Sequence, residues 1–126
     1  MAINPKISGI HHINLRCSDL LVSKNFYQNV LGFPVFLETE ELFAFPVSNV
    51  FIVFKKAEQN AHFNPFTIGT DHIAMACESE EELSRIAREL SEQKVENTGV
   101  KTDPTLQKLY VAFKDPDRIQ WEFFMV

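Results

Sequence analysis

The stretch His12-Ile13-Asn14-Leu15-Arg16-Cys17 recurs 60 residues further along the chain as His72-Ile73-Ala74-Met75-Ala76-Cys77. Histidine, isoleucine and cysteine are identical at the matching positions, and a leucine is matched by a methionine. Each copy is followed by apolar residues at helical spacing, over residues 19–31 in the first half and 80–93 in the second. A repeat of this length indicates two copies of one structural module.

Three strand-like runs follow each predicted helix. They cover residues 33–37, 41–45 and 50–55 in the first half and residues 95–100, 106–113 and 119–125 in the second. The turn residues Pro46-Val47-Ser48-Asn49 and Asp115-Pro116-Asp117-Arg118 stand before the last run of each half. The sequence therefore predicts an α+β fold with two tandem βαβββ modules, at about 7–57 and 68–126. A polar linker around residues 58–64 joins them within one domain.

Side chains in a strand alternate between its two faces, so the repeat also predicts which residues can meet. In the first strand the apolar residues share one face, which suits packing against a helix, and His12 lies on the other. His72 takes the same position in the second copy, and Glu122 lies opposite the apolar residues of the last predicted strand. We therefore expect His12, His72 and Glu122 to lie on faces that point away from the helices.

Two imidazoles and one carboxylate suit a divalent metal ion such as Zn, Mn, Ni or Fe. Three protein ligands also leave positions open for water or substrate, as a catalytic metal requires. A metal held in this way could bind a substrate oxygen and stabilise negative charge that develops on it. One divalent ion, with His12, His72 and Glu122 as its ligands, is therefore the expected cofactor.

Composition narrows the kinds of partner and the compartment. The 126-residue chain has a formal net charge of −5, so nucleic acid is not an expected ligand. No apolar run approaches the length of a membrane helix, and the first residues lack the apolar stretch of a secretory signal. Cys17 and Cys77 lie in apolar strands, which predicts buried reduced thiols and a cytoplasmic location.

Three motifs resemble the vicinal oxygen chelate superfamily, the group of glyoxalase I, fosfomycin-resistance proteins, bleomycin-resistance proteins and extradiol dioxygenases. The first is Gly9-Ile10-His11-His12-Ile13-Asn14-Leu15 with the following helix up to Leu31-Gly32-Phe33. The others are Asp71-His72-Ile73-Ala74 and Asp115-Pro116-Asp117 followed by Glu122. The resemblance implies paired modules whose eight strands curve around a metal cleft. It places His12, His72 and Glu122 at the family's ligand positions and implies a homodimer.

Departures from the family patterns bear on the reaction. Glyoxalase I, one of the proteins that this chain resembles, has a fourth metal ligand, Glu or Gln, on the last strand of its first module. Aligning the turn at Ser48-Asn49 with the turn at Asp117-Arg118 places Val53 at that position. A valine cannot bind a metal, so the resemblance implies a three-ligand site and disfavours glyoxalase I. No subfamily of fosfomycin-resistance proteins or dioxygenases is matched in full.

Further candidates can be named around the predicted cleft. Asn14 and Arg16 share a face with His12 and are candidate substrate contacts. Tyr110 and Lys108 share a face of the penultimate strand, and His62 lies on the linker. These three are candidate acid–base groups, although none lies at the family's spacing.

Two main functions remain open at the level of the sequence. The first is a divalent-metal-dependent enzyme of the lyase, isomerase, thiol transferase or dioxygenase type, which acts on a small oxygen-chelating substrate. The second is a metal-free protein that binds and sequesters a small molecule, as bleomycin-resistance proteins do. The three ligand residues favour the enzyme, and the unmatched acid–base partners favour the binder. A module that only assembles with protein partners is a third interpretation.

Overall fold

A computed structural model describes residues 1–59 and 61–126. Within these ranges the order strand, helix, strand, strand, strand occurs twice. The first module contains β1 (His12–Cys17), α1 (Leu20–Asn25), β2 (Leu37–Glu38), β3 (Leu42–Val47) and β4 (Val50–Lys56). The second contains β5 (Ile73–Cys77), α2 (Glu80–Glu92), β6 (Lys101–Thr102), β7 (Leu109–Lys114) and β8 (Gln120–Met125). The predicted α+β fold with two βαβββ modules is confirmed.

Each module forms one four-stranded sheet with the same topology. The strand orders are β1-β4-β3-β2 and β5-β8-β7-β6, and the first pair in each sheet is parallel. Asn14 pairs with Val53 in the first sheet, and Ala74 pairs with Glu122 in the second. Because Asn14 and Ala74 are repeat equivalents, this register confirms that Val53 stands at the position equivalent to Glu122.

Side-chain caps begin both helices. The Asp19 carboxylate accepts hydrogen bonds from the backbone amides of Leu21 and Val22, and the Ser79 hydroxyl accepts one from Glu82. The predicted first helix, residues 19–31, continues beyond α1 as a π-helical turn over Phe26–Val30. This wider turn, closed by Leu31 N–H to the Phe26 carbonyl at 2.9 Å, directs Tyr27 into the core.

Three predicted strands are wrong in their bounds. The run 33–37 yields only Leu37–Glu38, since Pro34 has no N–H group to donate to a neighbouring strand. No strand forms over the predicted run 95–100, and the strand β6 begins only after it, at Lys101. The reason is a bend at Gly99, which has a φ of 69° and whose N–H bonds to the side chain of Asn97. The predicted strand 106–113 begins only at Leu109, after a turn in which Gln107 N–H bonds to the Asp103 carbonyl.

The core lies between the apolar faces of the two sheets and the helices that cover them. Where the modules meet, the Tyr27 hydroxyl donates to Asp115 Oδ2 at 2.6 Å and accepts from Trp121 Nε1 at 2.9 Å. Burial raises the pKa of Asp115, although hydrogen bonds from Tyr27 and from the backbone amides of Ile119 and Asp117 oppose the rise. Burial and the Asp115 carboxylate raise the pKa of Tyr27 well above its ordinary value.

Two further expectations concern the thiols and the membrane. Cys17 and Cys77 are both buried and free, as their positions in apolar strands predict. Among residues 1–59 and 61–126, no helix combines the length and the hydrophobicity needed to span a bilayer.

Candidate metal centre

His72 and Glu122 lie side by side on the face of the second sheet that points away from α2. Strand alternation places them there, because β5 and β8 turn Ile73 and Trp121 towards the core. His72 Nε2 is 3.5 Å from Glu122 Oε1. The Glu122 side chain is 11% exposed and that of His72 is 38% exposed, so the pair is accessible at the edge of an open depression. The structure thus places two of the three predicted site residues side by side.

Asp71 holds the other side of the His72 ring. Its Oδ1 atom is 2.7 Å from His72 Nδ1. A carboxylate at this distance favours the tautomer with hydrogen on Nδ1, which leaves the lone pair of Nε2 directed towards Glu122. The sequence analysis did not identify Asp71 as a functional residue. Its position directly before His72 was the available signal, since neighbouring carboxylates commonly orient metal-binding histidines.

The separation of His72 Nε2 and Glu122 Oε1, the two candidate ligand atoms, fits a shared metal ion better than a hydrogen bond. At 3.5 Å, Nε2 and Oε1 are too far apart for a strong hydrogen bond. Two ligand atoms that each lie about 2.1 Å from one tetrahedral ion are about 3.4 Å apart. The donor set and its spacing therefore suit a divalent ion.

His12 occupies the equivalent place on the first sheet. It is exposed, and its Nδ1 atom is 2.9 Å from Nδ1 of His11. In the described part of one chain, no three His, Cys, Asp or Glu side chains are close enough to hold a metal ion together. A single chain thus presents two half-sites, one with His72 and Glu122 and one with His12.

The depression beside His72 and Glu122 has a volume of about 320 Å³. Ala74, Ala76 and Phe124 contribute to its lining. The two alanines follow His72 on the outward face of β5, and their small side chains leave space above the sheet. This depression can therefore admit part of a small molecule next to His72 and Glu122.

The candidate acid–base groups lie in different places. Tyr110 is on the outward face of the second sheet, where its ring stacks against Phe124 with centroids 6.2 Å apart. Lys108 Nζ donates to the Val126 carbonyl at 3.3 Å, so it is tied to the end of the chain. His62 lies apart from the pair and lines a different cavity, of about 510 Å³. Tyr110 is the candidate that shares the outward face of the strands with Glu122.

The candidate substrate contacts belong to the first half-site. Asn14 and Arg16 are exposed on the same face of β1 as His12, as strand alternation predicts. One nitrogen of Arg16, Nη1, donates to the Lys56 carbonyl at 2.9 Å, which anchors the guanidinium at the end of β4. Arg16 also lines the cavity that contains His62.

The comparison with known proteins shows the family to which the chain belongs, and the architecture agrees with it. The model of the Glyoxalase/Bleomycin resistance protein/Dioxygenase superfamily matches residues 9–123, and the chain belongs to this family. The protein YwkD of Bacillus subtilis (strain 168) is 32% identical over 127 residues, which cover 94% of this chain and 97% of that protein.

Solved structures show the same fold. A glyoxalase family protein from Enterococcus faecalis superposes with a TM-score of 0.78 at 25% identity, covering 92% of this chain and 96% of that one. The fosfomycin resistance protein FosX from Listeria monocytogenes superposes with a TM-score of 0.76 at 21% identity, covering 96% and 95% of the two chains. The likeness to FosX concerns the fold alone.

Proposed function

We propose that this protein is a divalent-metal-dependent enzyme of the superfamily that acts on a small oxygen-chelating substrate. We place the metal between His72 and Glu122 of one protomer and His12 of a second copy in a homodimer. The observation that carries the proposal is the 3.5 Å separation of His72 Nε2 and Glu122 Oε1, with Asp71 on the far side of the imidazole. The open lone pair of Nε2 and the carboxylate face each other without a hydrogen bond of good length, which a shared cation would stabilise.

Exposure of the half-sites supports the homodimer. In one chain His12 and His72 both lie open to solvent on separate sheets. Apolar side chains outside the sheets are exposed as well, among them Ile7 at 79%, Phe66 at 93% and Ile68 at 108%. A second copy that covered this apolar surface could bring His12 to the other two ligands.

The residues of the chain have separable roles in this proposal. His12, His72 and Glu122 would hold the ion, and Asp71 keeps the His72 ring in the orientation that binding requires. A divalent ion held there would supply Lewis acidity towards a substrate oxygen, so that a neighbouring C–H or O–H becomes more acidic. Three ligands leave room for two substrate oxygens, and the alanine-lined depression leaves room for the rest of the molecule.

Tyr110 is the residue of the second half-site that can exchange a proton with a substrate. Its ring lies on Phe124, and Ala112, two residues further along β7, pairs with Glu122. The ring stack forms an apolar shelf next to the metal position, and the phenol hydroxyl is both a donor and an acceptor. We assign Tyr110 to substrate positioning and to proton transfer at the substrate.

Metal titration tests the proposal directly. We expect the metal-free protein to bind one Zn, Mn, Ni or Fe ion per chain, as measured by calorimetry and elemental analysis after dialysis. His72→Ala and Glu122→Gln should each lower the affinity at least about 100-fold, and Asp71→Ala about 10-fold. His62→Ala is the matched control, since this imidazole lines another cavity, and it should leave the affinity unchanged. Absence of stoichiometric binding to the unmodified protein would exclude the metalloenzyme.

An exposed aromatic pair favours a second candidate function. Phe36 is 58% exposed and Phe51 is 37% exposed, and their ring centroids are 5.2 Å apart near the face that carries His12. Such a pair suits a flat apolar ligand, as in a metal-free protein that sequesters small molecules. Equal affinity for an aromatic probe with and without metal, together with no turnover, would support the binder.

A further inference from the structure

The residue before each candidate histidine ligand contacts that histidine at the same ring atom. His11 precedes His12, and Asp71 precedes His72 at the equivalent place 60 residues later. His11 Nδ1 is 2.9 Å from Nδ1 of His12, and Asp71 Oδ1 is 2.7 Å from Nδ1 of His72. The two modules therefore share a contact at Nδ1, although an imidazole makes it in the first module and a carboxylate makes it in the second.

The rings of His11 and His12 can share one hydrogen bond in two ways. Their planes cross at 87°, and a distance of 2.9 Å suits an N–H···N bond in which one ring donates and the other accepts. If His11 donated, His12 would carry its own hydrogen on Nε2 and would have no free nitrogen for a metal. If His12 donates from Nδ1, its Nε2 atom keeps a free lone pair. Metal binding by His12 therefore requires His11 to be the acceptor.

Contacts with β4 hold the ring of His11 in this place. The His11 carbonyl accepts a hydrogen bond from the Phe51 amide at 3.0 Å, and the two rings meet edge to face with centroids 5.6 Å apart. His11 lies just before β1, which begins at His12. Its side chain is therefore not constrained by the alternation of the strand and can lie beside the side chain of the next residue.

We propose, on the basis of the proposed function, that His11 is a positioning residue for the metal ligand His12. It accepts the Nδ1 hydrogen of His12, which fixes the tautomer and directs the Nε2 lone pair towards the ion. Asp71 does the same for His72 with a charged acceptor. Because Asp71 and Glu122 already balance the charge of a divalent ion, a neutral acceptor is sufficient in the first half-site.

Two substitutions at position 11 separate the acceptor from the ring. His11→Phe keeps an aromatic ring that can pack on Phe51 but has no acceptor atom. His11→Asp loses the ring but supplies the acceptor that the second module uses. Asp71→Ala is the matched control, since it removes the acceptor from His72 and leaves the pair His11 and His12 as it is.

The experiment is 15N NMR of the histidine rings in the metal-free protein at about pH 8, where ordinary histidines are neutral. Ring nitrogens with and without a hydrogen differ widely in 15N chemical shift. We expect His12 to carry its hydrogen on Nδ1 in the unmodified protein and in His11→Asp. In His11→Phe the hydrogen should move mainly to Nε2, which is the favoured form of a free histidine, and His72 should not change. Asp71→Ala should change His72 and leave His12 as it is.

Metal titration by calorimetry shows whether the tautomer matters for binding. His11→Phe should lower the affinity about 10-fold, and His11→Asp should bind at least as tightly as the unmodified protein, because its carboxylate makes His12 more basic. A purely structural role of the ring predicts the reverse order, with His11→Phe close to the unmodified protein and His11→Asp weaker.

Three results would overturn the inference while leaving the metalloenzyme intact. The first is a hydrogen on Nε2 of His12 in the unmodified, metal-free protein. The second is a set of His12 shifts that does not change in His11→Phe, and the third is an unchanged metal affinity of that variant. If the unmodified protein binds no metal, the proposed function fails, whereas the ring shifts still decide whether His11 sets the tautomer of His12.

Discussion

Tyr27 lies where the two modules meet, and its hydroxyl group serves two buried partners at once. It donates to Asp115 and accepts from Trp121 Nε1. We expect Tyr27→Phe to leave both partners without this hydrogen bond, since phenylalanine fills the same space without a polar atom. The free energy of unfolding, measured by urea denaturation, should fall by about 2 kcal/mol.

Tyr110→Phe is the control for that measurement. It removes the same hydroxyl group from a ring that is only half-buried on the outward face of the sheet, and it should change the free energy of unfolding by less than about 0.5 kcal/mol. Equal effects of the two substitutions would contradict a structural role for the buried hydrogen bonds.

Asp115 makes the stability of the protein depend on pH in an unusual direction. Burial raises the pKa of this carboxyl group in the folded chain, so the folded state holds the proton more tightly than the unfolded state. The resulting stabilisation is fully present below the unfolded-state pKa and is lost as pH rises through the folded-state pKa. Relative to Asp115→Asn, the unmodified protein should therefore lose stability as pH rises from about 4 towards neutrality.

Urea denaturation of both proteins at a series of pH values measures this difference. The other carboxylates titrate in both proteins, so subtraction isolates Asp115. A difference that grows in favour of the unmodified protein over this range would show that the folded-state pKa is lowered instead.

At the scale of single elements, residue alternation was sufficient to predict the faces of the long strands. Apolar residues at every second position of residues 12–17 predicted which side of β1 packs against the helix, and the structure confirms it. Strand ends were harder to predict. The bend at Gly99 depends on a hydrogen bond from its backbone to the side chain of Asn97, and a propensity pattern does not contain such a contact.

The site was predictable only in part for a related reason. Alternation and the repeat placed His72 and Glu122 on one face, and the two lie together. The same alternation placed His12 on the equivalent face of the first sheet. It could not predict whether that face lies against the second sheet of the same chain or of another chain. Strand parity describes one sheet at a time, whereas the distance from His12 to the other ligands depends on how modules or chains assemble.

The register of β4 leads to a prediction about a fourth ligand. Val53 pairs with Asn14 as Glu122 pairs with Ala74, so Val53 is the structural equivalent of Glu122, a ligand of the proposed metal site. We expect Val53→Glu to add a carboxylate beside the proposed metal and to raise metal affinity at least about 10-fold. Val53→Leu is the control for side-chain size and should leave the affinity as it is. Equal affinities of Val53→Glu and Val53→Leu would show that this position does not face the metal.

At the scale of the whole molecule, duplication has produced two sheets with open outward faces and a shared core behind them. The core is closed by contacts between the modules, such as the pair Tyr27 and Trp121. The outward faces instead leave His12 on one sheet and His72 with Glu122 on the other. The protein therefore has a complete core in one chain, while its proposed metal site would be completed by a second chain.

Mixing two variants that are each defective tests this arrangement most directly. His12→Ala lacks the ligand of the first half-site, and Glu122→Gln lacks a ligand of the second. If the site is shared between chains, a mixed dimer contains one intact site, made of His12 from one chain and His72 with Glu122 from the other. After the two variants are unfolded together and refolded, metal titration should show tight binding at up to one ion per mixed dimer, although neither variant alone binds tightly. If the mixture binds metal no better than the separate variants, the shared site is contradicted.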